Sequence, residues 1–194
     1  MIKLPSPEQD FWALMTSYRS FNRLELAHFD LVISTKYPTW MVAHPNHYCY
    51  LQHKLRGLYD TYHLTGLPTA LGEIPAHLRP LMHAMDSSRR DRVAHGLFFD
   101  LMFGLRDDPA LPPDSFAFPG PLTRRIVHSL DEIALAPTAI YRYLAISRNV
   151  AGREDYFPPG AQVTVVHHPS DLPHSETGAT IICLPRAVWI TPSA

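Results

Sequence analysis

Only two cysteines, Cys49 and Cys183, occur in the 194 residues, and both sit inside apolar runs. That scarcity excludes a disulfide framework and fits a reducing compartment. No apolar run reaches the about 20 residues needed to cross a bilayer. The opening MIKLPSPEQDF lacks the basic, apolar and small-residue regions of a secretory leader. A soluble, cytoplasmic protein without a transmembrane segment is therefore the expectation. Charge of one sign is not in excess, and a net charge of -1 offers nucleic acid no electrostatic attraction. Three nucleotide and hydrolase signatures are also absent. There is no Gly-rich turn between a first strand and helix, no G-x-x-x-x-G-K-[ST] loop, and no G-x-S-x-G elbow.

What remains is a globular chain with an apolar share of 46%. A chain of this size buries roughly 70% of its unfolded surface, so it needs no metal or disulfide to hold a core. Nineteen prolines are about double the usual share of roughly 5% and punctuate loops. Twelve histidines are the better chemical lead, because histidine titrates near neutral pH and ligates metals.

The stretch FDLVISTKYPTWMVAHPNHYCYLQHKLRGLYDTYH, Phe29 to His63, reads as strand, loop, strand, helix. The pattern on either side predicts further elements. Ser6, Pro7 and Gln9 form a capping-box start for a helix whose buried face is Phe11, Leu14, Met15, Tyr18 and Phe21. A short helix is expected over Pro75 to Met85. Ser88 is expected to cap a longer one buried through Val93, Leu97, Phe98, Leu101, Met102 and Leu105, and a third covers Leu122 to Leu135. Arg89, Arg90 and Arg92 read as a solvated face. Short strands follow at Tyr143 to Ile146 and Gln162 to His167, with Ser147 capping a helix between them. Strands alternating with helices argue for a parallel sheet. With a helix first, the sheet reads as lacking its first βαβ unit, which would leave an exposed hydrophobic strand edge and poor solubility.

In open α/β sheets ligands bind outside the carboxyl ends of strands. Lys36, His44, His47, His53 and Arg56 crowd that place in the reading, with Ser147 and Arg148 after a later strand. His53 directly follows a strand and is the sharpest candidate. Arg56 and Asp60 are four apart and can pair with each other. Arg148 and Arg153 either hold phosphate or are simply exposed. His44, His47 and His53 raise the alternative of a zinc hydrolase, although no carboxylate or cysteine cluster accompanies them.

The stretch KYPTWMVAHPNHYCYLQHKLRGLYDTY resembles bacterial glycosyltransferases of the two-domain GT-B architecture, family 4 type (glycosyl transferases group 1). The matching motifs are Lys36-Tyr37-Pro38, His44 to His47, and His53, Arg56, Tyr59 and Asp60. A second match, YLAISRNVAGREDYFPPGAQVTVVHHPSDL, is similar to the last strand, helix and strand of the same N-terminal domain. The resemblance implies an α/β, Rossmann-like parallel sheet with helices on both faces, as an incomplete half of GT-B. It implies retaining transfer from a nucleotide-sugar to a glycan or lipid-linked acceptor, with no other cofactor and no resident metal. A lipid-linked acceptor would bring peripheral membrane contact. His53 is implied as catalytic, facing the transferred sugar, with Lys36, Tyr37, His44, His47, Arg56, Ser147 and Arg148 on the substrate.

Residues 1–175 are thus expected to be a partial acceptor-side domain, inactive alone because the donor-binding domain is not seen. Residues 176–194 match nothing in the family. Read from the third base of the Val188 codon, the tail allows S-R-L-D-H-A-K-R with the Asp forced, as in the family's donor-phosphate motif. That makes a shifted reading frame one account of it. A non-catalytic acceptor-binding module is the alternative function, with the metal hydrolase behind it.

Overall fold

The computed structural model describes residues 2–5, 10–88, 94–112, 114–168 and 187–193. Six strands form one sheet: β1 (Ile2–Pro5), β2 (Leu31–Lys36), β3 (His47–His53), β4 (Arg142–Ala145), β5 (Val163–Val165) and β6 (Ala187–Ser193). Their spatial order is β1-β6-β2-β3-β4-β5, and every pairing is parallel. Among the described residues five α-helices accompany them: α1 (Phe11–Asn22), α2 (Arg79–Ser88), α3 (Ala94–Gly104), α4 (Pro121–Ala134) and α5 (Arg148–Ala151). The Rossmann-like α/β sheet that the alternation predicts is present. Its four expected strands are the neighbours β2 to β5.

The core lies against alternate residues of the strands. Val32 and Ser34 of β2, Cys49 and Leu51 of β3, and Ala145 of β4 are fully or almost fully buried. Period-2 geometry puts such residues on one face. All five predicted apolar residues of α1 are buried. From α4, Leu122, Ile126 and Leu130 join them, and Pro121 sits in its first turn, where a missing N–H costs nothing.

Several expectations are corrected. The described part of α1 starts at Phe11, capped by Asp10, whose side chain accepts from the Ala13 amide at 2.6 Å. The expected cap Ser6 and its partners Pro7 and Gln9 lie outside the described residues. The sheet does not begin on a helix, because β1 precedes α1. Ser88, the expected cap of the next helix, is the last described residue of α2. Residues 89–93, with the arginine run and Val93, lie outside the described residues. Leu97 is 58% exposed, and Phe98, Phe99 and Met102 carry the burial of α3. The helix expected after His53 is replaced by two 3-10 turns, Arg56–Leu58 and Tyr62–Thr65. Tyr59 breaks the helix with φ -117 and ψ -88, and its hydroxyl reaches a buried carboxylate described below.

The largest correction concerns the tail. Ala187–Ser193 is no appendage. It is hydrogen-bonded between β1 and β2, with Ile2 opposite Ile190 and Ile33 opposite Trp189. The β2 edge that the sequence reading leaves bare is covered by β6. A boundary at residue 175 therefore does not separate the sheet from its tail. Cys183 lies outside the described residues.

Candidate functional site

The carboxyl ends of β2, β3 and β4 bring together part of the predicted set. Lys36 closes β2 and His53 closes β3, and the two are register partners across a local irregularity after Ser34. Tyr37 is buried at 2% exposure, and its ring meets that of His53 at 5.9 Å and 60°. His53 Nδ1 lies 3.0 Å from the Lys54 carbonyl oxygen. A carbonyl only accepts, so Nδ1 carries the proton, and the Nε2 of the neutral ring holds a lone pair. Beyond β4, Ser147 accepts from the Val150 amide at 3.2 Å and caps α5 as expected. Arg148 is the first residue of that single-turn helix and is exposed.

Other predicted residues lie elsewhere. His44 belongs to the opposite edge: its Nε2 is 3.0 Å from the Phe29 carbonyl, just before β2, and its Nδ1 accepts from the Asn46 amide at 3.1 Å. The turn into β3 holds it there, because the connection from β2 must return to the amino edge before a parallel strand can start. His47 opens β3 and is completely buried, with Nε2 at 2.8 Å from the Ser34 hydroxyl. It belongs to the core. It and His53 stand at opposite ends of β3, about 20 Å of extended chain apart, so the three histidines of the zinc alternative do not converge. Among the described residues no group of three metal-ligating side chains is found. Arg56 is exposed and pairs with Asp60 at 3.7 Å. Asp60 has closer partners in Arg153 Nη1 at 2.9 Å and the Tyr156 hydroxyl at 2.7 Å. Arg153 is thereby neutralised rather than left for phosphate.

The residue after His53 leads to a polar cluster that the sequence reading misses. Asp131 of α4 is fully buried. Its Oδ1 accepts from the Tyr18 hydroxyl and the Trp40 indole, each at 2.8 Å, and its Oδ2 from the Tyr59 hydroxyl at 2.8 Å. Burial raises its carboxyl above the usual range, with Lys54 and the three donors pulling the other way. Burial likewise lowers the Lys54 amine, against the pull of Asp131. Both directions favour the uncharged forms of a desolvated pair. Lys54 is 4% exposed, its Nζ lies 4.6 Å from the Tyr59 ring centroid, and it donates to the Asp155 carbonyl. Asp155 takes a left-handed backbone, φ 59, a conformation that Asp tolerates.

His128 stacks on Tyr59, 3.8 Å away and 9° from parallel, with Nε2 donating to the Leu58 carbonyl at 3.0 Å. Burial, helped by the Arg124 and Lys54 charges, pushes His128 down to about 4. A cavity of about 320 Å³ opens beside this cluster. Lys54, Tyr59, Asp131 and Glu132 line its polar part, and Leu135, Pro137, Phe157, Pro158 and Pro159 part of the rest. One signal for Asp131 is in the sequence: an acid on the otherwise buried face of a helix, next to Leu130 and one turn before Leu135.

No protein-family model, curated protein or solved structure matches this chain. The fold and these two clusters are what define it: a parallel α/β domain with a histidine–lysine pair at the carboxyl edge and a buried acid network beside it.

Proposed function

We propose that this chain is the acceptor-side domain of a glycosyltransferase, which positions an acceptor for transfer of a sugar from a nucleotide-sugar. The reading rests on the resemblance of the Lys36–Asp60 and Tyr143–Leu172 blocks to that family. The single observation that supports it best is the pairing of Lys36 with His53 at the carboxyl ends of adjacent parallel strands. The Nε2 of His53 accepts a sugar hydroxyl, the Lys36 ammonium donates to ring or hydroxyl oxygens, and the buried Tyr37 ring fixes the tilt of the imidazole. His44 and His47 are left out of the site. Donor binding is assigned by the resemblance to a second domain, so this chain by itself binds acceptor without turnover.

The test is saturation-transfer NMR with a panel of glycans, followed by His53→Ala and Lys36→Ala. Each variant is expected to weaken the best-bound glycan about tenfold, a loss of about 1.4 kcal/mol, with the melting temperature held. A melting temperature that falls in step with binding makes His53 structural. Absence of saccharide binding by the folded wild type refutes the reading.

A further inference from the structure

The sequence holds only three lysines, Lys3, Lys36 and Lys54. The last is buried, yet it is part of the wall of an open cavity. A salt bridge on a surface does not need a cavity, and a purely structural lysine does not need to border one. Four groups bear on its amine electrostatically: the carboxylates of Asp131, Asp155 and Glu132, and the Cys49 thiol. The amine donates to the Asp155 carbonyl and sits over the Tyr59 ring, and both of those residues line the same cavity. The remaining wall is dominated by proline, leucine and phenylalanine. Pockets of this size that combine an apolar wall with a few placed polar groups are the usual form of small-molecule sites.

From this geometry we propose that the cavity takes a small aldehyde or ketone with an apolar body, and that Lys54 joins it as a reversible imine. The Lys54 nitrogen lone pair attacks the carbonyl carbon and a C–N bond forms. One N–H proton passes to the former carbonyl oxygen, giving a carbinolamine. The C–O bond then breaks, the hydroxyl leaves with the second N–H proton as water, and C=N remains. The balance is amine plus carbonyl to imine plus water, with no redox partner. Desolvation keeps a fraction of the amine neutral, as in other lysines that do this chemistry. Asp131, fixed by three donors, is the counter-charge when the imine is protonated, and the Tyr59 ring stays beneath the nitrogen. The apolar wall sets the ligand class, since it offers an aromatic or branched body contact area and a polyol none. The proposal is independent of sugar transfer.

The experiment is reductive alkylation of the whole folded chain with benzaldehyde and cyanoborohydride at neutral pH, read by peptide mass at each lysine. Lys54 is expected to react at least about tenfold faster than Lys36 when benzaldehyde is scarce, because the cavity concentrates the aldehyde beside the amine. Its rate should saturate with benzaldehyde, while that of Lys36 rises linearly. Adding urea should abolish the advantage. Lys54→Met should remove the fast label and leave the rate at Lys36 unchanged. Where that variant does not fold, the wild-type peptide map and its saturation carry the test. A Lys54 that is unlabelled in the folded chain, is no faster than Lys36, or shows no saturation overturns the proposal.

Discussion

Asp131 shows how much one side chain can organise. Tyr18 from α1, Trp40 from the β2–β3 connection and Tyr59 from the turn after β3 all donate to it. Asp131→Asn keeps the volume but turns an amide donor toward groups that are themselves donors. The expected cost is about 3 kcal/mol, read from urea unfolding. Tyr59→Phe removes one donor and leaves two, so a smaller loss of about 1 kcal/mol is expected. His128 supplies a pH dependence with a definite sign. Its folded value lies near 4, below the usual 6.5, so the unfolded chain takes up the proton first as pH falls. Stability from this group is full above 6.5 and is lost progressively between 6.5 and about 4. His128→Phe keeps a ring against Tyr59 and should flatten that part of the stability–pH curve. An unchanged slope in the variant would place its origin elsewhere.

At the scale of elements, Gly120 is a place where the chain has no room. A Cβ there would lie 2.5 Å from the Ala117 carbonyl oxygen, at the N-cap of α4. Gly120→Ala should therefore cost about 2 kcal/mol through overpacking and displace the helix that carries Asp131. A thermal melt of the variant checks it. Elements with a strong period were legible in the sequence: α1 by its five apolar residues, α4 by Leu122, Ile126 and Leu130, and β2 to β5 by short apolar runs. At the candidate site, Lys36, His53 and Ser147 could be placed because each follows a strand. His44 and His47 were misplaced: one precedes β3 and the other opens it, and the start of a parallel strand lies at the amino edge, away from the ligand side. The Asp131 network joins residues 18, 40, 59 and 131, and such contacts leave no local pattern. β1 was hidden by its four residues and terminal proline. For β6 the run Val188-Trp189-Ile190-Thr191 was a usable β signal, masked because the family resemblance stops before it.

At the scale of the whole molecule, the sheet depends on a strand from the far end of the chain. A chain ending before Ala187 should lose β6, uncouple β1 and bare the edge of β2 as a template for association. Size-exclusion chromatography of that shortened chain should show higher-order species, and its melt should lose cooperativity. A monodisperse monomer with the full-length melting temperature would show β6 to be dispensable. The strand order has a further consequence, in time. β1 pairs with β6, which a ribosome makes some 180 residues after it. At about 5–20 residues per second that is a wait on the order of ten seconds or more. β2 to β5 can pair in the order they emerge, but β1 must be kept from settling against β2 itself. During synthesis the nascent chain thus has two ways to close its sheet, and only the later one is native.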